Sequence, residues 1–431
     1  MNKINLDTLL LYDNIRQNEI VMTAVKILNE MAEKEEISHL EPEYYAIQRE
    51  LLACTDGKEA KGTYWENYVC RLIAESENQF SLLGEKGGFD TNIFRIASRE
   101  VSVLKLLFAF DWERISGLFH DRETCICLMD RSEIPEEFQE KREKIRLAME
   151  SDDDQESIEL LFEHYHDNAC GIYQEYDAFV WDGRLIGVRN YDKISFEQLV
   201  GYEKQKEALI ENTEVFLNGY RTNNVLLYGD RGTGKSSCVK ALLNKFKDRR
   251  LKIISLNKND VNHLYQIIES IANRGCKFII YIDDLSFEDT ETGYKYFKSI
   301  IDGGIEAQPT NAVLYVTSNR KNIIRETWRD RGDLSAENEV HRNDALQEKL
   351  SLADRFGLTI TFSAPDKLSY LEIVKSIACQ EGLDYDEDLL KEEALRWELR
   401  QHGRSGRSAR QFIYHMQAKT LKQEPYKRRG E

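Results

Sequence analysis

One stretch constrains this chain more than any other: Asn224-Val-Leu-Leu-Tyr-Gly229-Asp230-Arg231-Gly232-Thr233-Gly234-Lys235-Ser236-Ser237-Cys-Val-Lys. A short apolar run leads into G-x-x-x-x-G-K-S and a helical pattern follows, an order that reads as strand, phosphate loop, helix. Glycines at 229, 232 and 234 let the backbone curl until its N–H groups face a di- or triphosphate. The helix opening near Lys235 adds its positive end. Lys235 then reaches the β/γ-phosphates and the Ser236 hydroxyl coordinates Mg²⁺. Asp230, Arg231, Thr233 and Ser237 belong to the same ligand-holding loop.

Downstream, Leu251-Lys-Ile-Ile-Ser-Leu reads as a strand, 261–273 as a helix, and Phe278-Ile-Ile-Tyr-Ile-Asp283-Asp284 as a strand that ends in two carboxylates. A buried strand delivers such acids to the carboxyl edge of an open α/β sheet, where ligands bind. Asp283 is the expected Mg²⁺-associated acid, directly or through water. Asp284 is the candidate for polarising an attacking water, with Glu288 as its alternative. Ala312-Val-Leu-Tyr-Val-Thr-Ser-Asn319 is a further strand whose terminal Asn319 can hydrogen-bond a γ-phosphate or the water.

Residues 1–170 read as helices. Ile20, Ala24, Leu28 and Met31 share one face, as do Trp65, Tyr68, Leu72 and Phe80, with Gly84 placed to stop the second run. Asp90 is positioned to cap a longer helix whose Ile93, Ile96, Val101, Leu104, Leu107 and Phe108 make an almost all-round apolar surface, the core of a bundle. The acidic run from Asp152 to Glu163 is expected to be a solvated helix face. Cys125, Cys127, His164, His166 and Cys170 are metal-ligand types without zinc-finger spacing. Asp182-Gly183 between apolar flanks reads as a β-hairpin turn and marks a domain boundary.

Net charge is −17, so no global positive field draws nucleic acid, and such contact needs a local patch. The 8 cysteines are scattered, which suits reduced thiols. No signal-peptide profile or membrane-spanning apolar run is found, and the expected location is the cytoplasm.

Strand–GDRGTGKS, strand–IDD and strand–TSN, followed by Leu352-Ala-Asp-Arg355-Phe-Gly-Leu and Gly403-Arg-Ser-Gly-Arg407-Ser-Ala-Arg410-Gln-Phe, resemble in this order an AAA+ ATPase. The local wording is similar to an uncharacterised bacterial family of predicted AAA+ proteins, over residues 196–415. The resemblance implies an α/β P-loop parallel-sheet core with a C-terminal helical lid and an N-terminal mainly helical domain. The implied boundaries are 1–170 helical, 171–195 hairpin linker, 196–364 core, and 365–431 lid and tail. It further implies ATP with Mg²⁺, Asn319 as sensor 1, and Arg355 as an arginine finger lent to a neighbouring copy in a homo-oligomer. Arg407 matches the sensor 2 arginine of the lid, with Arg410 and Arg404 as alternatives.

Two departures bear on activity. Most AAA+ members carry Asp-Glu where this chain has Asp283-Asp284; the bacterial initiator and helicase-loader branch tolerates Asp-Asp, so the resemblance still implies hydrolysis and leaves its rate, fast or slow, open. The loop after Leu256 reads Asn257-Lys-Asn-Asp260 and lacks the aromatic-apolar-Gly signature of peptide-threading pores. The same four residues imitate a guanine-specificity motif, but they precede the acidic strand, and that order rejects a GTPase. Three classes of function compete: a remodeller or loader acting on a protein or protein–nucleic-acid client, a nucleotide-gated scaffold with slow turnover, and a small-molecule kinase.

Overall fold

The computed structural model describes residues 3–33, 38–53, 62–130, 136–286, 297–298, 301, 309–319, 355–400 and 403–423. The chain divides into two compact units, Met1–Tyr176 with Arg274–Cys276, and Asp177–Asn273 with Lys277–Glu431.

The first unit is helical: α1 (Asp13–Arg16), α2 (Glu19–Glu33), α3 (Glu41–Ala53), α4 (Tyr64–Glu75), α5 (Gln79–Lys86), α6 (Thr91–Phe108), α7 (Trp112–Leu118), α8 (Glu136–Glu150), α9 (Asp154–Asn168) and α10 (Ile172–Glu175). Asp90 caps α6 as expected, accepting the N–H groups of Asn92 and Ile93. Trp65, Phe80, Val101, Leu104, Trp112 and Tyr165 sit in its core, and the Trp65 indole N–H donates to the Leu107 carbonyl at 2.7 Å. Glu100 is buried there as well. It is held by the backbone N–H groups of Leu10 and Leu11 at 2.7 and 3.0 Å, which compensate its lost hydration.

Gly84, expected from the sequence to stop a helix, lies inside α5, and Gly87 is the stop. Gly87 takes a left-handed conformation (φ +67°), and the Gly88 N–H closes back on the Leu83 carbonyl at 2.9 Å. What Gly84 supplies is room: a Cβ there would lie 2.9 Å from the Tyr165 Cβ of α9 and 3.2 Å from the Phe162 carbonyl oxygen. Gly84→Ala gains roughly 1 kcal/mol of helix propensity but overpacks the α5–α9 contact by about 1–3 kcal/mol. A net loss of stability of about 1 kcal/mol is expected, read as a lower midpoint in urea denaturation.

The second unit is built on a seven-stranded sheet of β1 (Ala178–Trp181), β2 (Leu185–Gly187), β3 (Val225–Gly229), β4 (Leu251–Leu256), β5 (Lys277–Ile282), β6 (Ala312–Ser318) and β7 (Leu358–Phe362), in the order β2-β1-β4-β5-β6-β3-β7. All neighbours are parallel except the β1/β2 hairpin. β6 is buried at every position and β5 at all but its first, as expected of parallel strands covered on both faces. The hairpin does not stand apart from the core as a linker. Ala178, Phe179 and Val180 pair with Ile253, Ile254 and Ser255, so it occupies the edge that β4 would otherwise leave open.

Helices α11 (Glu203–Leu217), α12 (Lys235–Lys245) and α13 (Leu264–Ala272) accompany the sheet. α14 (Lys367–Gln380), α15 (Glu387–Arg400) and α16 (Gly406–Gln423) form a small bundle around Tyr370, Ile373, Ile377, Phe412 and Ile413. Because β3, β5 and β6 run parallel, Gly229, Ile282 and Ser318 end along one edge of the sheet, and the residues just past them meet there.

Candidate nucleotide site

The phosphate loop begins where β3 ends. Gly229, Gly232 and Gly234 all have positive φ, +138°, +76° and +97°. At Gly229 a Cβ would lie 2.0 Å from the Phe362 carbonyl oxygen on β7, so only a residue without a side chain can leave the sheet here. The Asp230 N–H donates to that same carbonyl at 2.9 Å, and the Asp230 carboxylate accepts the Ala364 N–H at 2.6 Å. Asp230 thereby ties the loop to the segment that enters the α14–α16 bundle. The Thr233 hydroxyl closes the loop on itself by donating to the Asp230 carbonyl at 2.8 Å.

Lys235 opens α12 and is buried. Its ammonium donates to the carbonyls of Gly229 and Asp230 at 2.9 and 2.7 Å and to Asn319 Oδ1 at 3.2 Å. Burial pulls its pKa below the usual lysine value, against the carboxylates of Asp230, Asp284 and Asp283 that favour the charge. A poorly hydrated cation gains most from an incoming anion.

Asp283 and Asp284 follow β5. Asp283 Oδ1 accepts three hydroxyls: Thr317 at 2.6 Å, Ser236 at 2.7 Å and Tyr281 at 2.7 Å. Burial pushes this carboxyl up, but those three donors outweigh it and hold the pKa below the usual range, so Asp283 is an anion. Asp284 has φ +49°, left-handed backbone in a residue with a side chain. Its N–H donates to Thr317 Oγ1 at 2.9 Å, and its carboxylate accepts from Asn319 Nδ2 at 2.5 Å. Asn319 therefore bridges Lys235 and Asp284 with the two ends of one amide.

A cavity of about 660 Å³ opens over the loop. Its polar wall is Arg231 to Ser237, Asp283, Asp284, Thr317 and Asn319, and its apolar wall includes Val200, Tyr202, Ile373, Ile377 and Tyr414. From α16 come Arg407 and Arg410. The Arg407 N–H donates to the Gly232 carbonyl at 3.2 Å, which seats the first turn of that helix on the loop. Among the described residues, the guanidiniums of Arg231, Arg407 and Arg410 have no hydrogen-bond or ion-pair partner. In a chain of net charge −17, three unneutralised arginines beside a buried lysine make a site for a polyanion.

Other expected residues fall elsewhere. Arg404 is paired with Glu398 at 3.1 Å. Glu288 lies outside the described residues. Arg355 does not line the cavity: it precedes β7, whose first residue Leu358 pairs with Val225 while Phe362 pairs with Gly229. The four residue steps of β7 thus span roughly 13 Å between Arg355's edge of the sheet and the loop.

Sequence reasoning passed over Thr317 and Tyr281. Each stands two residues before a named one, Asn319 and Asp283, so the alternation of a strand puts each pair on one face, and that was the available signal. It also missed Lys206, which is buried and donates to the Leu199 carbonyl at 2.6 Å and to Glu203 at 2.8 Å, holding the turn that lines the apolar wall. A lysine on an amphipathic helix gives no such sign.

The residues fit a nucleoside triphosphate with Mg²⁺. A Cβ at Gly234 would meet nothing within 4 Å, which leaves open space beside the loop for a phosphate; the apolar wall suits a flat base, and Ser236 with Asp283 offers the hard oxygens that Mg²⁺ takes. Among the described residues Asp283 Oδ2 accepts no hydrogen bond, and no three His, Cys, Asp or Glu side chains gather as a softer metal site.

Known proteins give the following likenesses. The chain is 22% identical over 210 residues to the replication factor C large subunit of Methanococcus vannielii, covering 47% of this chain and 37% of that protein. It is 30% identical over 112 residues to the ORC1-type DNA replication protein 5 of Halobacterium salinarum, covering 24% and 26%. The matches thus span 37% and 26% of the length of these relatives. Among solved structures, the Thermotoga maritima RuvB Holliday junction branch migration motor matches at 17% identity and a TM-score of 0.37, over 54% of this chain and 67% of that one. A family profile described as protein of unknown function (DUF815) matches residues 174–420, which hold the whole sheet edge, both acids and the α14–α16 bundle. The chain belongs to that family, whose matched residues hold the parallel sheet with the phosphate loop at the end of β3.

Proposed function

We propose that this protein binds and hydrolyses ATP and uses the cycle, as a homo-oligomer, to remodel or load a protein or protein–nucleic-acid client. The observation that carries it is the convergence of glycine loop, Lys235, two carboxylates, Asn319 and two lid arginines on one cavity. The names of the relatives, replication factor C and ORC1-type DNA replication protein, support a client that includes nucleic acid. The helical residues 1–170 are the part left to select that client, and the lid is at 365–431. Among the described residues no helix is long and apolar enough to cross a membrane.

In this reading the loop N–H groups and Lys235 hold the phosphates, and Arg407 adds charge from the lid. Ser236 and Asp283 hold Mg²⁺, which neutralises phosphate charge when bound. Asp284 orients the attacking water, with Asn319 fixing its carboxylate, and Arg355 arrives from a neighbouring copy. Catalysis of this kind is positioning and charge stabilisation.

A nucleotide-gated scaffold is favoured by one feature: Asp284 is shorter than a glutamate, has left-handed backbone, and is held by Asn319. Asp284→Asn separates the two readings. Loss of turnover by about 10²-fold or more with ATP binding retained is expected for a hydrolytic machine. If wild type assembles with ATP but turns over negligibly, and Asp284→Asn behaves identically, the scaffold reading takes its place.

A further inference from the structure

We infer that Thr317 is a positioning residue for the ATPase centre, one hydroxyl that orders both acids at once; this rests on the ATP–Mg²⁺ reading of the site. A threonine hydroxyl has one hydrogen to give and lone pairs to accept. Here both are used: Oγ1 donates to Asp283 Oδ1 at 2.6 Å and accepts the Asp284 N–H at 2.9 Å. The first contact fixes the Asp283 carboxylate through Oδ1 and leaves Oδ2, which accepts no hydrogen bond among the described residues, for a cation. The second anchors a backbone that is otherwise unfavourable, since Asp284 sits at φ +49°.

The strand supplies the precision. Thr317 is 1% exposed and lies in β6, which is paired on both sides, by β5 and by β3. Its own carbonyl accepts the Leu285 N–H at 2.8 Å, so the chain turning away from β5 is tied to Thr317 by main chain as well as side chain. Asn319, two residues on, holds the Asp284 carboxylate. β6 and the residue after it therefore present two polar side chains: Thr317 sets the Mg²⁺ acid and the Asp284 backbone, and Asn319 sets the Asp284 side chain. Ser318 points elsewhere and donates to the Leu285 carbonyl at 3.0 Å.

Outer groups that orient a metal-binding carboxylate are typically worth about 10–100-fold in metal affinity or activity. The test uses the full chain with Thr317→Val, which keeps shape and loses the hydroxyl, and Thr317→Ser, which keeps it. ATP turnover is followed against Mg²⁺ at saturating ATP, and binding of a fluorescent ATP analogue is measured with and without Mg²⁺. Thr317→Val is expected to turn over about 10–100-fold more slowly, to need more Mg²⁺ for half-maximal rate, and to bind the analogue without Mg²⁺ as wild type does. Thr317→Ser is expected to recover both losses. Tyr281→Phe removes a different donor from Asp283 Oδ1, leaves the Asp284 N–H contact in place, and is expected to shift the Mg²⁺ requirement in the same direction.

Wild-type Mg²⁺ dependence in Thr317→Val overturns the inference. So does a loss that serine fails to restore in a variant with unchanged circular dichroism. A wild-type chain that binds the analogue without turning it over refutes hydrolysis alone, and the Mg²⁺-dependent tightening of binding then decides the role of Thr317. A wild-type chain that binds no analogue removes the ATP reading and this inference together.

Discussion

Replacing Arg355 by alanine is expected to lower ATP turnover by about 10³-fold while ATP affinity stays as in wild type. The reason is positional. β7 separates Arg355 from the phosphate loop, and Arg355 does not line the cavity of its own chain, so it adds nothing to binding there. A guanidinium offered to a neighbour's γ-phosphate stabilises charge that develops in the transition state, and that contribution appears in kcat. On the proposed role, a finger on one part of the surface meeting a loop on another would make heterologous contacts, which generate a ring or an open spiral. Mixing Arg355→Ala chains with Lys235→Ala chains is expected to restore part of the lost turnover, since some interfaces then combine an intact finger with an intact loop. Wild-type-like turnover in Arg355→Ala rejects the role outright.

Lys235→Ala is expected to abolish measurable turnover and to weaken ATP binding by about 10–100-fold, the range for a lost hydrogen bond to a charged group. Lys235 is already poor in hydration and bonded to two loop carbonyls and Asn319, so alanine removes the cation and leaves the Gly229 and Asp230 carbonyls without that donor. It also cuts the link from the loop through Asn319 to Asp284. Turnover and analogue binding measured on the variant check both effects. Retained turnover would place the chemistry at another site.

The parts legible in the sequence were those set by strand ends. An apolar run followed by Gly229, by Asp283-Asp284 or by Asn319 projects these residues from a parallel sheet, and the structure brings them to one edge. What escaped depends on contacts distant in sequence. The hairpin looked like a linker because nothing local says that Ala178 to Val180 pair with β4. Gly84 looked like a helix stop because a glycine that makes room for Tyr165 and a glycine that ends a helix read alike. Thr317 and Tyr281 look like ordinary strand residues until Asp283 is found bonded to both. The left-handed backbone of Asp284 has no sequence mark, since aspartate is common in ordinary turns too.

The central claim is that a triphosphate occupies the glycine cradle between the phosphate loop and the α14–α16 bundle. Calorimetric titration of ATP with Mg²⁺ into the purified full chain tests it most directly. Saturable binding of one ATP per chain, lost in a chain with Gly229→Val because the added side chain meets the Phe362 carbonyl, is the predicted result. Absence of saturable ATP binding by the folded wild-type chain would contradict it.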